Sequence, residues 1–143
     1  MKKIYIVALL TFTAIAGAQE SEANTENIPQ GWIKVQKNGF TGFIDETGQE
    51  IVPAVYDDVR DFGTYCPDTA VIVKDGFMGL IDLQGVIVSE PQYETLIQSN
   101  KFPNGWIMIQ KDSFYGFIDC NGQETVKPVY EEIGAAITNN IKQ

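Results

Sequence analysis

The stretch that decides the fold runs from Phe40 to Tyr56 and reads FTGFIDETGQEIVPAVY. Two further stretches copy it without a gap, each 37 residues later: FMGLIDLQGVIVSEPQY at 77–93 and FYGFIDCNGQETVKPVY at 114–130. Regular recurrence of this kind indicates a tandem-repeat protein, in which each unit covers an apolar face of its neighbour. The recurring glycines, aspartates and tyrosines are Gly42, Gly79, Gly116, Asp45, Asp82, Asp119, Gly48, Gly85, Gly122, Tyr56, Tyr93 and Tyr130.

Each copy is predicted to be a short antiparallel β-meander. Trp32 to Lys37 alternates apolar and polar side chains, as a half-buried strand does. Asn38-Gly39 suits the positive φ angles of a two-residue hairpin turn, and Phe40 to Ile44 is then the returning strand. The third copy has Asp112-Ser113 at this turn, where the serine must adopt a strained left-handed backbone.

The second corner of each copy begins with aspartate and ends with glycine, as Asp45 to Gly48 does. This pattern predicts a type I turn whose carboxylate accepts backbone N–H groups. The alternative, calcium ligation by the repeated aspartates, lacks the alternating acids of a calcium loop. A third strand follows from Glu50, and Pro53 interrupts its ladder because proline donates no hydrogen bond. The tyrosine and acids after the proline suit a short edge strand, giving roughly ten to twelve strands in total.

The first glycine of the repeat, at 42, 79 and 116, lies inside a strand, where glycine weakens pairing. Its recurrence predicts that another backbone or an aromatic ring lies directly over it. We favour a ring, that of Phe40 or Tyr56.

Composition excludes several classes of function. The chain has 143 residues, no histidine and a net charge of −9. Without histidine, Ser-His-Asp and Cys-His catalysis and the common zinc sites are absent. An acidic chain repels the phosphates of nucleic acids and the surface of an anionic membrane, so neither is an expected partner.

The N-terminus has the three parts of a secretory signal. Lys2 and Lys3 precede an apolar run from Ile4 to Ile15, and Ala16-Gly17-Ala18 places a cleavage site before Gln19. The apolar run is shorter than the roughly 20 residues of a membrane span, so no stable membrane anchor is expected after cleavage. We therefore predict a signal peptide at 1–18 and a periplasmic or secreted product. Residues 19–30 are polar and acidic, and predict a flexible linker.

The repeats occupy 31–134, divided as 31–68, 69–104 and 105–134. Three units are too few for a closed propeller, which typically has four to eight blades, so an open array of stacked meanders forming one domain is expected. An open array needs caps at its ends. The tail at 135–143 is placed to cover the last strand.

The repeated block resembles that of the WG-repeat (KWG) proteins of bacteria. GFTGFIDETG, GFMGLIDLQG and SFYGFIDCNG match its aromatic, glycine and aspartate positions, and PAVYDD, PQYE and PVYEE follow downstream. The aromatic-glycine pair is present as Tyr115-Gly116, whereas Thr41 and Met78 replace the aromatic in the other copies. The resemblance implies an all-β repeat module without assigned catalysis or cofactor, which mediates interactions.

Three aromatic residues are candidates for partner contact: Tyr115, Trp32 and Trp106. Packing between copies is the alternative, and we favour it for the two tryptophans. Tyr115 is the better contact candidate because its position varies among the copies. Cys66 and Cys120 are the only cysteines, and whether they form a disulfide depends on how the copies stack.

Two functions follow from these observations. The first is a non-enzymatic binding module for a protein or glycan of the cell envelope or exterior. The second is a glycan-processing enzyme that uses carboxylates alone. The acidic pairs Asp57-Asp58 and Glu131-Glu132 do not favour the enzyme, because neighbours on a strand point to opposite faces and cannot flank one bond.

Overall fold

The computed structural model describes residues 27–134, in which eleven β-strands and no helix are present. The strands are β1 (Ile33–Lys37), β2 (Phe40–Ile44), β3 (Glu50–Tyr56), β4 (Asp58–Val59), β5 (Thr69–Lys74), β6 (Phe77–Asp82), β7 (Ile87–Tyr93), β8 (Thr95–Ile97), β9 (Ile107–Lys111), β10 (Phe114–Ile118) and β11 (Glu124–Tyr130). They form three antiparallel sheets, ordered β1-β2-β3, β4-β5-β6-β7 and β8-β9-β10-β11. The predicted all-β open array of three repeats is confirmed, since the sheets are not closed into a barrel. The predicted signal peptide and C-terminal cap lie outside the described residues.

The hairpin turns have the geometry that the sequence predicts. Asn38 and Gly39 have φ angles of 53° and 84°, and β1 and β2 pair up to Lys37 opposite Phe40. Asp112 and Ser113 also have positive φ angles, of 51° and 70°, so the serine does adopt the left-handed backbone.

The short strand that follows the tyrosine in the first two copies belongs to the following sheet, which corrects its expected place at the edge of its own copy. β4 pairs with β5, placing Asp58 opposite Val73 and Val59 opposite Ile72. β8 pairs with β9 in the same way. The reason is the burial of Val59, which lies in the apolar layer between the first two repeats. Repeats 1 and 2 therefore each donate the first strand of the next sheet.

Backbone lies over the glycine within the strand, and the expected aromatic ring does not. Thr41 pairs with Tyr56 and Phe43 with Val52, so β3 bulges opposite Gly42. A Cβ atom on Gly42 would lie 2.6 Å from the nitrogen of Ala54. The same bulge lies over Gly79 and Gly116, whose Cβ atoms would lie 2.6 and 2.7 Å from the nitrogens of Pro91 and Pro128. The rings of Phe40, Phe77 and Phe114 are instead exposed.

The core of the molecule consists of two apolar layers between the repeats. We call the face of a sheet that packs on the following repeat its forward face, and the opposite face its backward face. In the first layer, the forward face of repeat 1 meets the backward face of repeat 2. The buried side chains of that layer are Phe43, Val52, Tyr56, Val59, Phe62, Ala70, Ile72 and Ile81. In the second, Val71, Leu80 and Tyr93 meet Leu96, Ile107, Ile109 and Ile118.

Two of the three repeated tyrosines lie in these layers. Burial raises the pKa of Tyr56 and of Tyr93, and the charges of Glu90 and Glu124 respectively raise it further. Both phenols are therefore neutral components of the core over the physiological pH range.

Residues just before the first repeat are bound to it, although they were expected to be part of a flexible linker. Residues 27–30 belong to the predicted flexible linker, yet Asn27 Nδ2 donates to the Phe62 carbonyl oxygen at 2.6 Å. The Phe62 N–H donates in turn to the Asn27 carbonyl oxygen at 3.0 Å, and Ile28 packs against the first core layer. Residues 27 and 28 therefore pack on the repeat array rather than forming part of a flexible linker.

The bulge over the glycine gives a direct prediction. Gly79→Ala should destabilise the protein by about 1–3 kcal/mol or more, because its methyl group would meet main-chain atoms of β7. Gly134→Ala is the matched control, because a Cβ atom there meets nothing within 4 Å, and it should stay within about 0.5 kcal/mol of the original chain. Urea unfolding measures both. Equal stability of the two variants would contradict the close approach.

Candidate interaction surface

The two tryptophans pack inside the repeats. The Trp32 ring lies 5.3 Å from that of Phe43 and 5.5 Å from that of Phe62, between centroids. The Trp106 ring lies 5.0 Å from that of Phe117. Both tryptophans are half-buried, and their ring contacts assign them to packing.

The repeated aspartates form turns. Asp45 Oδ1 accepts the N–H groups of Thr47 at 2.8 Å and Gln49 at 2.9 Å, and the Thr47 hydroxyl at 2.6 Å. The hydroxyl first, and the N–H groups with it, lower the pKa of Asp45 below its usual value. Asp82 and Asp119 accept the corresponding N–H groups in their turns. Within residues 27–134, no cluster of three or more acids or cysteines is arranged to hold a metal ion.

The acidic pair Asp57-Asp58 has structural partners. Asp57 Oδ2 accepts the backbone N–H of Asp75 at 2.6 Å, which ties the connection after β3 to the hairpin of the next repeat. Asp58 Oδ2 lies 3.6 Å from the Arg60 guanidinium. These contacts give both carboxylates a role in the fold.

Cys66 and Cys120 form a disulfide, with their Cα atoms 5.8 Å apart. Cys66 lies in the connection between β4 and β5, and Cys120 lies in the turn between β10 and β11. The bond therefore joins the connection between repeats 1 and 2 to repeat 3. The disulfide spans 54 residues of the sequence. By limiting the conformations of the unfolded chain, a loop of this length raises the free energy of unfolding by about 4 kcal/mol.

The forward face of repeat 3 is open to solvent among the described residues. Tyr130 is 52% exposed, whereas its counterparts Tyr56 and Tyr93 are 5% and 1% exposed. The first two repeats are each covered by a following repeat, whereas no described residue packs over the third in the same way. Among residues 27–134, an apolar surface of the kind that packs between repeats is therefore exposed.

Tyr115 lines a cleft on this open face. The cleft has a volume of about 330 Å³, and the side chains of Ile97, Met108 and Ile133 also line it. Glu131 and Glu132 complete its wall and make the rim acidic. In register, Tyr115 pairs with Tyr130, so the two tyrosines lie side by side on the same face.

The cleft corresponds to a filled part of the second core layer. Moving back 37 residues from Met108, Tyr115 and Ile133 gives Val71, Met78 and Leu96. All three belong to the apolar layer that repeats 2 and 3 share. The cleft is therefore the position that a fourth repeat would occupy.

A model of the family described as WG containing repeat matches residues 42–76, 78–113 and 115–141. The chain belongs to the WG-repeat family. Each of the first two matched units begins in one sheet and ends in the next, as the donated strands require. The resemblance seen in the sequence is confirmed. The glycine of the WG pair is the one beneath the bulge, which explains why each repeat retains it. No curated protein and no solved structure matches the chain.

Sequence reasoning found Tyr115 but not the surface around it. Tyr130 was recognised only as a repeat position, because its sequence surroundings match those of the buried Tyr56 and Tyr93. In the part of the chain that the structure describes, no helix has the length and apolarity to cross a bilayer.

Removing the disulfide should lower stability substantially. The double variant Cys66→Ser/Cys120→Ser is expected to lose about 4 kcal/mol of unfolding free energy, because its unfolded chain is no longer constrained. Urea unfolding of the oxidised chain and the double variant measures the difference, and adding a reductant to the oxidised chain should reproduce it. A reductant that leaves the transition of the oxidised chain unchanged would show that the two cysteines are not joined.

Proposed function

We propose that this WG-repeat protein is an exported, non-enzymatic interaction module that binds a protein partner through the forward face of repeat 3. The observation that carries the proposal is the exposure of Tyr130 at a position that is buried in both other repeats. Contiguous exposed apolar surface on a small protein commonly marks an interaction site.

The chemistry of the face supports a protein partner. Tyr115 and Tyr130 present rigid rings with polar ends, which are common anchors of protein interfaces. Ile97, Met108 and Ile133 make the wall of the cleft apolar, and the glutamates at 131 and 132 make its rim acidic. This combination favours a segment with an apolar centre and basic or N–H-donating groups beside it.

Two features support export. The N-terminal sequence has the basic, apolar and small-residue parts of a cleavable signal. The disulfide between Cys66 and Cys120 is of the kind that forms and persists in an oxidising compartment. We place the mature protein in the periplasm or outside the cell, and its role in the envelope or the surrounding medium.

Processing provides a test of export. Expressed from its complete coding sequence in a bacterial host, the chain should be recovered from the periplasm or the medium with Gln19 as its first residue. Mass spectrometry of the intact protein and Edman sequencing identify that residue. Recovery from the cytoplasm with Met1 in place would contradict the proposal.

Affinity capture tests the interaction surface. With the chain as bait in a cell-envelope extract, Tyr115→Thr/Tyr130→Thr should reduce recovery of the bound partner about tenfold or more, because interface tyrosines typically contribute more than about 1 kcal/mol. Threonine already stands at position 41, which corresponds to Tyr115, so the fold accepts it.

The matched control for capture is Phe77→Thr, which removes an exposed aromatic ring from repeat 2. It should leave recovery of the partner unchanged. Equal recovery with the double tyrosine variant and with this control would show that the forward face of repeat 3 is not the binding surface.

A further inference from the structure

The first sheet of the stack is one strand short of the others among residues 27–134. The second and third sheets each begin with a strand donated by the repeat before them, β4 and β8 respectively. The first sheet contains only β1, β2 and β3, so β1 stands at its edge. The position that a donated strand fills in the other two sheets is thus not filled by a described strand beside β1.

The end of repeat 3 carries the matching donor segment. Residues 131–133 lie 37 positions after residues 94–96, which lead into and form β8. Ile133 corresponds to Val59 and Leu96, and both of these are buried against the following repeat. Ile133 itself is only half-buried, and it lines the cleft beside Tyr115.

The backward face of repeat 1 is apolar and exposed. Ile33 is 46% exposed, whereas its counterparts Ala70 and Ile107 are 1% and 0% exposed. Val35 and Ile44 are half-buried, and their counterparts in both later repeats are fully covered by the preceding repeat. Among the described residues, the stack therefore has an exposed apolar face at each end. The two faces correspond to faces that pack against each other between the repeats.

We propose that the partner of the open forward face is a second copy of this chain, bound head to tail, with residues 131–133 of one copy donated to the edge of β1 in the next. The inference rests on the proposed function and names the partner of the same surface. The interface continues the two that already hold the repeats together.

Both internal interfaces give the same register for this pairing. In the first, Asp58 lies opposite Val73 and Val59 opposite Ile72. In the second, Thr95 lies opposite Gln110 and Leu96 opposite Ile109. Equivalent positions of the repeats differ by multiples of 37 residues. Applied to the end of repeat 3, both registers place Glu132 opposite Gln36 and Ile133 opposite Val35 of the next copy.

A carboxylate contact extends the pairing to the hairpin turn. Asp57 accepts the N–H of Asp75 at 2.6 Å, and Glu94 accepts the N–H of Ser113 at 3.1 Å. Glu131 is the third acid of this series. Because it has the length of Glu94, it should accept the N–H of Gly39 in the next copy, which stands where Ser113 does.

The turn glycines provide a further match. A Cβ atom on Gly85 would lie 2.7 Å from the Ile51 carbonyl oxygen of repeat 1, and one on Gly122 would lie 3.0 Å from the Val88 carbonyl carbon of repeat 2. A Cβ atom on Gly48 meets no described atom within 4 Å. In the head-to-tail assembly, this turn of one copy packs on Thr125 of the copy before it.

The geometry requires a second copy. Stacked sheets lie roughly 10 Å apart, so two layers separate the forward face of repeat 3 from the β1 of its own chain. The contact joins two different surfaces, and such heterologous contacts add copies in a row unless the rotation closes a ring.

The experiment uses two blocked variants of the full chain, expressed from the complete coding sequence. Ile33→Glu blocks the backward face, and Ile133→Glu blocks the donor segment. Sedimentation velocity over a concentration series should show the unmodified chain forming assemblies larger than a dimer, and each variant alone remaining a monomer. An equimolar mixture of the two should form a dimer and nothing larger, because each variant keeps one intact end.

Two further variants control for folding and position. Ile87→Glu changes an isoleucine that is 39% exposed in repeat 2, and glutamate already stands at the equivalent positions 50 and 124, so assembly should be unchanged. Gly48→Asn keeps a residue that tolerates positive φ and should weaken assembly without unfolding the chain. Circular dichroism verifies that every variant is folded.

Three results would overturn the assembly: a monomeric unmodified chain at every concentration, folded blocked variants that assemble as the unmodified chain does, or a mixture that stays monomeric. If one of these results is found but Tyr115→Thr/Tyr130→Thr still captures less of another partner, only the assembly is wrong and the proposed interaction module stands. If the blocked variants assemble normally and the double tyrosine variant captures its partner normally, the proposed function is wrong as well.

Discussion

Each sheet of this protein has two apolar faces and cannot bury either of them by itself. The only cores in residues 27–134 are the layers between successive repeats, and the donated strands β4 and β8 link those layers covalently and through hydrogen bonds. The bulge over Gly42, Gly79 and Gly116 permits this arrangement. It lies within the third strand, whose pairing resumes at Tyr56 opposite Thr41 before the chain crosses to the next sheet.

This constraint also explains the ends of the molecule. Repeat physics requires that terminal units be capped or be used, because an uncovered stacking face is apolar. Tyr130 and Ile33 occupy such faces, and their exposure contrasts with the burial of their counterparts. In our proposal, the repeat positions that form the interior of the array therefore also form its interaction surfaces wherever no neighbouring repeat covers them.

Much of the local structure followed from the sequence, because turns depend on a few residues. Asn38-Gly39 and the aspartate turns required only short-range chemistry, and the structure has both as expected. The cover over Gly42 was misassigned to a ring because a ring and a backbone leave the same glycine signature. β4 was placed in the wrong sheet for a similar reason: Asp58-Val59 has the composition of any edge strand, and only the three-dimensional stack shows where Val59 is buried.

The candidate surface was likewise only partly predictable from the sequence. Tyr115 was identified because its position varies among the repeats, but its neighbours Tyr130 and Ile133 have the sequence signature of core residues. The sequence does not decide whether Cys66 pairs with Cys120, because the pairing depends on how the copies stack. The structure brings the two cysteines together in a disulfide. Features that depend on the relation between repeats thus required coordinates, whereas features within one repeat did not.

The stack depends on the strands that repeats 1 and 2 donate to the sheets of the repeats that follow them. Amide hydrogen exchange measured by NMR tests this donation most directly, through the N–H groups of Asp57 and Arg60, which donate to the Val73 and Val71 carbonyl oxygens. The account predicts that both amides are protected, and that they exchange together with the amides of β5. Exchange of these two amides at the rate of unbonded loop amides would contradict it.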